Sequence, residues 1–94
     1  MDLENISYEE KIKLAKNPNT SEDILQKLAQ DPDGWLKGYV IANPSVSCKI
    51  LMEMFEYEKN LKNPCIHVIS CLYKHAKLPY IAKVIIETLF RDML

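Results

Sequence analysis

Apolar residues recur along this chain at helical spacing. Ile24, Leu25, Leu28 and Ala29 stand at i, i+1, i+4 and i+5, and Ile50, Leu51, Met54 and Phe55 repeat the pattern. Such spacing gathers side chains into one stripe on an α-helix. Trp35, Leu36, Tyr39 and Val40 form a third stripe between them. Downstream, a helix is expected from Cys65 to about Ala76, broken at Leu78-Pro79, and a last one from Tyr80 to about Arg91. Gly is scarce, and Val and Thr are sparse beside Leu, Ile, Lys and Glu, which favours helix over sheet. The expectation is an all-α protein of about six helices.

The polar residues between the stripes mark helix ends, and they repeat. Asn17-Pro18-Asn19-Thr20-Ser21-Glu22-Asp23-Ile24-Leu25 returns as Asn43-Pro44-Ser45-Val46-Ser47-Cys48-Lys49-Ile50-Leu51, an offset of 26 residues from Asn17 to Asn43. Pro18 and Pro44 cannot continue a preceding helix, and each pushes the Asn before it toward extended backbone. Those Asn side chains suit the short turn that follows, and Ser21 and Ser47 stand where an N-cap belongs. Glu22 and Asp23 favour the first turn through the helix dipole. Asp31 is placed to cap the next helix, with Pro32 at its first position. One repeat therefore reads as two short antiparallel helices, neither long enough to persist alone.

The segment Asp31-Pro32-Asp33-Gly34-Trp35-Leu36-Lys37-Gly38-Tyr39-Val40-Ile41-Ala42-Asn43-Pro44, followed by Ser47 and Ile50-Leu51, resembles the leucine-rich-repeat-variant family, a relative of the HEAT-like solenoids. Leu36-Lys37 takes the family's Val-Arg position, and residues 12–18 match the second half of a preceding copy. The resemblance covers about residues 12–56. It implies a short right-handed α-solenoid of antiparallel helix pairs and says little about activity, because such a family is defined by architecture. Some members carry an iron–sulfur cluster on a separate cysteine cluster, which this sequence lacks. After Phe55 the pattern decays, and Asn63-Pro64 follows Asn43-Pro44 by 20 residues. The organisation expected is one domain over 1–94, with repeat units of about 17–42 and 43–62 and capping helices over about 64–94.

Composition narrows the function. With 94 residues there is room for one core. A net charge of −1 argues against a protein dedicated to neutralising phosphates. Residues 1–58 carry a balance of −5 and residues 59–94 one of +4, so the two halves differ in sign. Either the charges sort by chance over a helical surface, or the C-terminal half meets an acidic partner or a second copy. The start, Met1-Asp2-Leu3-Glu4-Asn5, lacks the basic and apolar regions of a secretory signal, and no apolar run approaches the ~20 residues of a membrane span. Three cysteines, Cys48, Cys65 and Cys71, cannot all pair within one chain, which reads as reduced thiols in a cytoplasm.

Cys65, His67, Cys71 and His75 are the residues with metal-ligand chemistry. On a helix, His67, Cys71 and His75 fall along one stripe, two of which can supply ligands to zinc or pair a thiol with a base. No Cys-x2-Cys motif and no Gly-rich turn supports either use, so no metal, cofactor or catalytic residue is expected. Trp35 and Tyr39 either pack between repeats or stay partly exposed as binding anchors. Lys11, Lys13, Lys16, Lys27, Lys37 and Lys49 are interspersed with acids and read as a solvated face. The last helix is apolar around more of its circumference than one stripe requires, and the leftover side is expected near Ile86, Phe90 and Met93. The reading is a non-enzymatic protein-interaction module, an adaptor or an inhibitor that masks a partner's surface. Its contacts are expected at Ile86, Phe90, Met93, Trp35 and Tyr39, with a homodimer through the C-terminal helix. The alternatives are a nucleic-acid-binding module using Lys59, Lys62, Lys74, Lys77 and Lys83, or a metal or redox site on Cys71 with His67 or His75.

Overall fold

The computed structural model describes residues 6–93, Met93 by its backbone alone; the acidic start over residues 1–5 lies outside the described residues. Six α-helices follow one another: α1 Tyr8–Lys16, α2 Glu22–Ala29, α3 Gly34–Ala42, α4 Cys48–Lys59, α5 Ile66–Lys74 and α6 Tyr80–Phe90, with a 3₁₀ turn over Arg91–Met93. No strand occurs among the described residues, and no helix is long and apolar enough to cross a membrane. The fold is all-α.

Local chemistry sets the first four helix starts. The hydroxyls of Ser7, Ser21 and Ser47 accept from the backbone N–H groups of Glu10, Ile24 and Ile50 at 3.2, 3.4 and 3.2 Å. Asp33, not Asp31, caps α3 by accepting from Leu36 N, so that helix starts at Gly34 rather than Pro32. Asp31 instead accepts from Asp33 N and pairs with Lys11 at 3.1 Å. An aspartate two residues ahead of the cap gives the chain an Asx turn into the helix.

In chain order the helices fall two by two, α1/α2, α3/α4 and α5/α6, the members of each pair joined by a turn of the same kind. α1, α3 and α5 lie side by side in one layer; α2 packs on α3 and α4, and α4 on α5. Equivalent hydrogen bonds show how the pairs stack. Asn17, Asn43 and His75 end α1, α3 and α5, and each accepts on its side chain from the backbone N–H two residues on, Asn19, Ser45 and Lys77. In each turn the N–H of Thr20, Val46 or Leu78 bonds back to the carbonyl of Asn17, Asn43 or His75. The side chains then reach the preceding pair. Asn43 donates to the carbonyls of Ala15 at 2.7 Å and Asn17 at 2.9 Å, while the ring of His75 faces the Ile41 backbone. Ser45 donates to the Pro18 carbonyl, and Lys77 donates to the carbonyls of Pro44 and Val46.

His75 thus occupies the position of Asn43, 32 residues on, where the first interval is 26. Asn63-Pro64, where the spacing of the repeat was already lost, lies in the connection between α4 and α5. The extra residues extend α4 to Lys59 and form that connection.

Apolar burial holds the pairs together. Leu25, Leu36, Val40, Ile50, Leu51, Phe55, Val68, Ile69, Leu72, Ala82 and Ile86 lie in one continuous core. Within it sits an ion pair that the sequence did not disclose. Lys37, expected on a solvated face, is buried, and its Nζ lies 3.0 Å from Oε1 of buried Glu58. The other carboxylate oxygen of Glu58 accepts from Cys65 N at 3.1 Å, and the Lys37 ammonium sits 4.2 Å from the centre of the Tyr57 ring. A charge in a core needs such a full set of partners, since isolated burial of an ion is costly. Here the pair ties α3 to the end of α4 and to the start of α5.

The expectation for the last helix also needs correction. Ile86 is 0% and Phe90 7% exposed: both face the core with Ala82, at i, i+4 and i+8 along one stripe. The open side of α6 carries Ile81 and Leu89, 65% and 58% exposed, together with exposed Tyr80. The side chain of Met93 lies outside the described residues.

Candidate functional site

Two glycines on α3 shape the most distinctive surface. A Cβ at Gly38 would stand 2.7 Å from Nε2 of His67, and one at Gly34 would stand 2.9 Å from Sγ of Cys65. With only hydrogen at these two positions, one helical turn apart, α5 closes onto α3. The His67 ring lies across the bare face of Gly38 and meets the indole of Trp35, with ring centroids 4.6 Å apart and planes tilted by 45°. Tilted aromatic pairs at this separation are attractive. Cys71, one turn beyond His67, places its sulfur 3.9 Å from Nε2. Tyr39, one turn beyond Trp35, is half-buried under the ammonium of Lys16, 4.6 Å from its ring centre.

Trp35, Tyr39, His67 and Cys71 therefore form one ridge across α3 and α5. Trp35 is 64% exposed at its crest, although an aromatic of this size usually buries its surface. The turn correspondence places Trp35 with His67 and Tyr39 with Cys71 in successive pairs, and the first pair has Glu9 and Lys13 there. Stacking of the helix pairs does not itself require aromatics at these positions. At one end of the ridge, Tyr8 donates its hydroxyl to the Asp33 carboxylate; that hydrogen bond, more than burial, pushes the phenol up to about 12.

The same geometry bears on the other readings. Burial, opposed in part by Lys74, pushes the Cys71 thiol above its ordinary value, the reverse of the thiolate activation that nucleophilic cysteines need. His75 leaves the His67–Cys71 stripe because α5 ends at Lys74, and its ring is engaged in the turn instead. Among the described residues no three His, Cys, Asp or Glu side chains converge to hold a metal ion. The cysteines are free thiols.

Of the five C-terminal lysines, two are engaged within the fold and a third is partly buried. Lys62 precedes α5 and Lys74 ends it, opposite ends of a helix whose nine residues rise about 1.5 Å each. Lys59 pairs with Glu56 at 3.1 Å, and Lys77 is engaged with the Pro44 and Val46 carbonyls. Lys83, on α6, is partly buried.

A notch of about 200 Å³ lies between α2 and α4, lined by Gln26, Ala29, Gln30, Glu53, Met54 and Tyr57. The Gln26 amide donates to Glu53 across it at 2.8 Å.

Of the partner-binding residues expected from sequence, the structure brings Trp35 and Tyr39 together and turns Ile86 and Phe90 inward. His67 and Cys71 join the ridge in a role the sequence did not assign to them. The signal for it was the Gly34–Gly38 spacing, a small-residue pair one turn apart that permits close helix approach. No family model, curated protein or solved structure gives a significant match to this chain.

Proposed function

We propose that this chain is a non-enzymatic protein-interaction module, which binds another protein through the α3–α5 ridge as an adaptor or by masking its surface. The observation that carries this reading is the exposed Trp35, held in place by His67 and flanked by Tyr39. Large aromatics fixed before binding lose little side-chain freedom on association and dominate many interfaces. A homodimer through the C-terminal helix belongs to the same reading, with Ile81 and Leu89 as its contacts in place of Ile86 and Phe90. The stacked helix pairs support kinship with the leucine-rich-repeat-variant solenoids, and three free thiols fit a reducing cytoplasm. The engagement of Lys59 and Lys77 within the fold, with a net charge of −1, favours a protein partner over nucleic acid.

The test is capture of partners from native extract by the wild type, Trp35→Ala and Ile81→Glu. Loss of a central aromatic anchor lowers retention by about tenfold or more, with unchanged melting. Equal retention by wild type and Trp35→Ala overturns the ridge. Loss on Ile81→Glu alone assigns binding to α6.

A further inference from the structure

His75 is the one titratable side chain in the series that joins the pairs, since Asn17 and Asn43 hold the equivalent positions. Asparagine has the same hydrogen-bonding capacity at every physiological pH; histidine does not. The bond that His75 makes within its turn defines its protonation state. Nδ1 accepts from Lys77 N at 3.0 Å and must carry no proton, so the ring hydrogen sits on Nε2. A proton arriving at Nδ1 sets a donor against the Lys77 N–H, and the ring can no longer close the turn. The charged groups facing His75 oppose that proton too. Lys77 lies on its own turn and Lys83 on α6, both cationic; the Ile41 backbone on α3 favours the proton, but burial and Lys77 outweigh it.

We propose that His75 is a pH-sensitive latch between the second and third helix pairs, closed when its ring is neutral and released when protonated. Release frees Lys77 as well, whose Nζ holds the Pro44 and Val46 carbonyls from the same turn. It also loosens α5 against α3, which is the junction that carries Trp35 and His67. Acid would thus dismantle the ridge; this last consequence rests on the function proposed above, whereas the latch does not.

Burial first, then Lys77 and Lys83, push His75 below its ordinary 6.5. The unfolded chain therefore takes up this proton at a higher pH than the folded one. The stabilisation is complete above the ordinary value and is lost as pH falls through the folded value.

The experiment follows His75 and the Lys77 and Leu78 amides of the full chain by nuclear magnetic resonance between pH 7.5 and 4.5, with thermal melts of wild type, His75→Asn and His67→Gln. The latch requires that His75 titrates below 6.5 and that amide protection at Lys77 and Leu78 falls with that titration. Wild type and His67→Gln should then lose melting temperature over the same interval in which His75→Asn does not. A ring that titrates at or above 6.5, or amide protection that ignores its titration, overturns the latch even if His75→Asn fails to fold. Partner capture measured separately at pH 7.5 tests the ridge, so failure of one proposal is distinguishable from failure of the other.

Discussion

Asn43 fixes the second helix pair to the first through two donated bonds and one accepted bond, all from a buried amide. At the next junction the ring of His75 accepts the equivalent turn bond, while Lys77 and the Lys37–Glu58 pair make the links to the preceding helices. The first junction contains no group in this set that changes charge near neutrality. The second contains an imidazole, a buried ion pair and two glycine contacts. The difference teaches that one backbone plan tolerates different chemistry at each joint, and that the ridge sits on the joint with the more responsive chemistry.

The comparison is tested most severely at the ion pair. Lys37→Met leaves Glu58 charged and buried without its partner and should cost about 4 kcal/mol, measured by denaturant unfolding. Combining it with Glu58→Leu should recover much of that loss, leaving mainly the unpaired Cys65 N–H. Next is Asn43→Ala, which removes three hydrogen bonds at roughly 1 kcal/mol each, about 3 kcal/mol in all, with no change in the pH dependence of stability. Ser21→Ala and Ser47→Ala should each cost about 1 kcal/mol by loss of an N-cap; unchanged melting would mean that neither cap bond contributes. The smallest stability effect belongs to Gly38→Ala. Its Cβ meets the far end of His67, a ring that can rotate away, and alanine is favoured over glycine in a helix by roughly 0.5–1 kcal/mol. Melting should stay within a few degrees while partner retention falls, because the support under Trp35 has moved.

What was readable in the sequence was what is decided locally. Asn17, Asn43, Ser21 and Ser47 each make, within three residues of themselves, the turn or cap bond their position implied, whereas the two long-range bonds of Asn43 were not readable. The third turn was hidden because His75 supplies an acceptor without the Asn-Pro signature, while Asn63-Pro64 offers that signature in a connection. Lys37 looked solvated because its partner, Glu58, stands 21 residues away on another helix. For α6, the helical wheel showed more apolar surface than one stripe needs, but the choice between Ile86 and Ile81 for the inward side depends on how α5 meets it. The Trp35–His67 contact depended likewise on two glycines whose meaning appears only once α5 is in place.

Trp35 is the only tryptophan in the chain, so its fluorescence reports on the ridge without any label. In the free protein the mostly exposed indole should emit at long wavelength and be readily quenched by acrylamide. Adding a captured partner that lacks tryptophan should shift that emission to shorter wavelength and protect it from quenching, in proportion to binding. Binding that saturates by an independent method, while the emission and quenching of Trp35 stay as in the free protein, would contradict the ridge as the site of recognition.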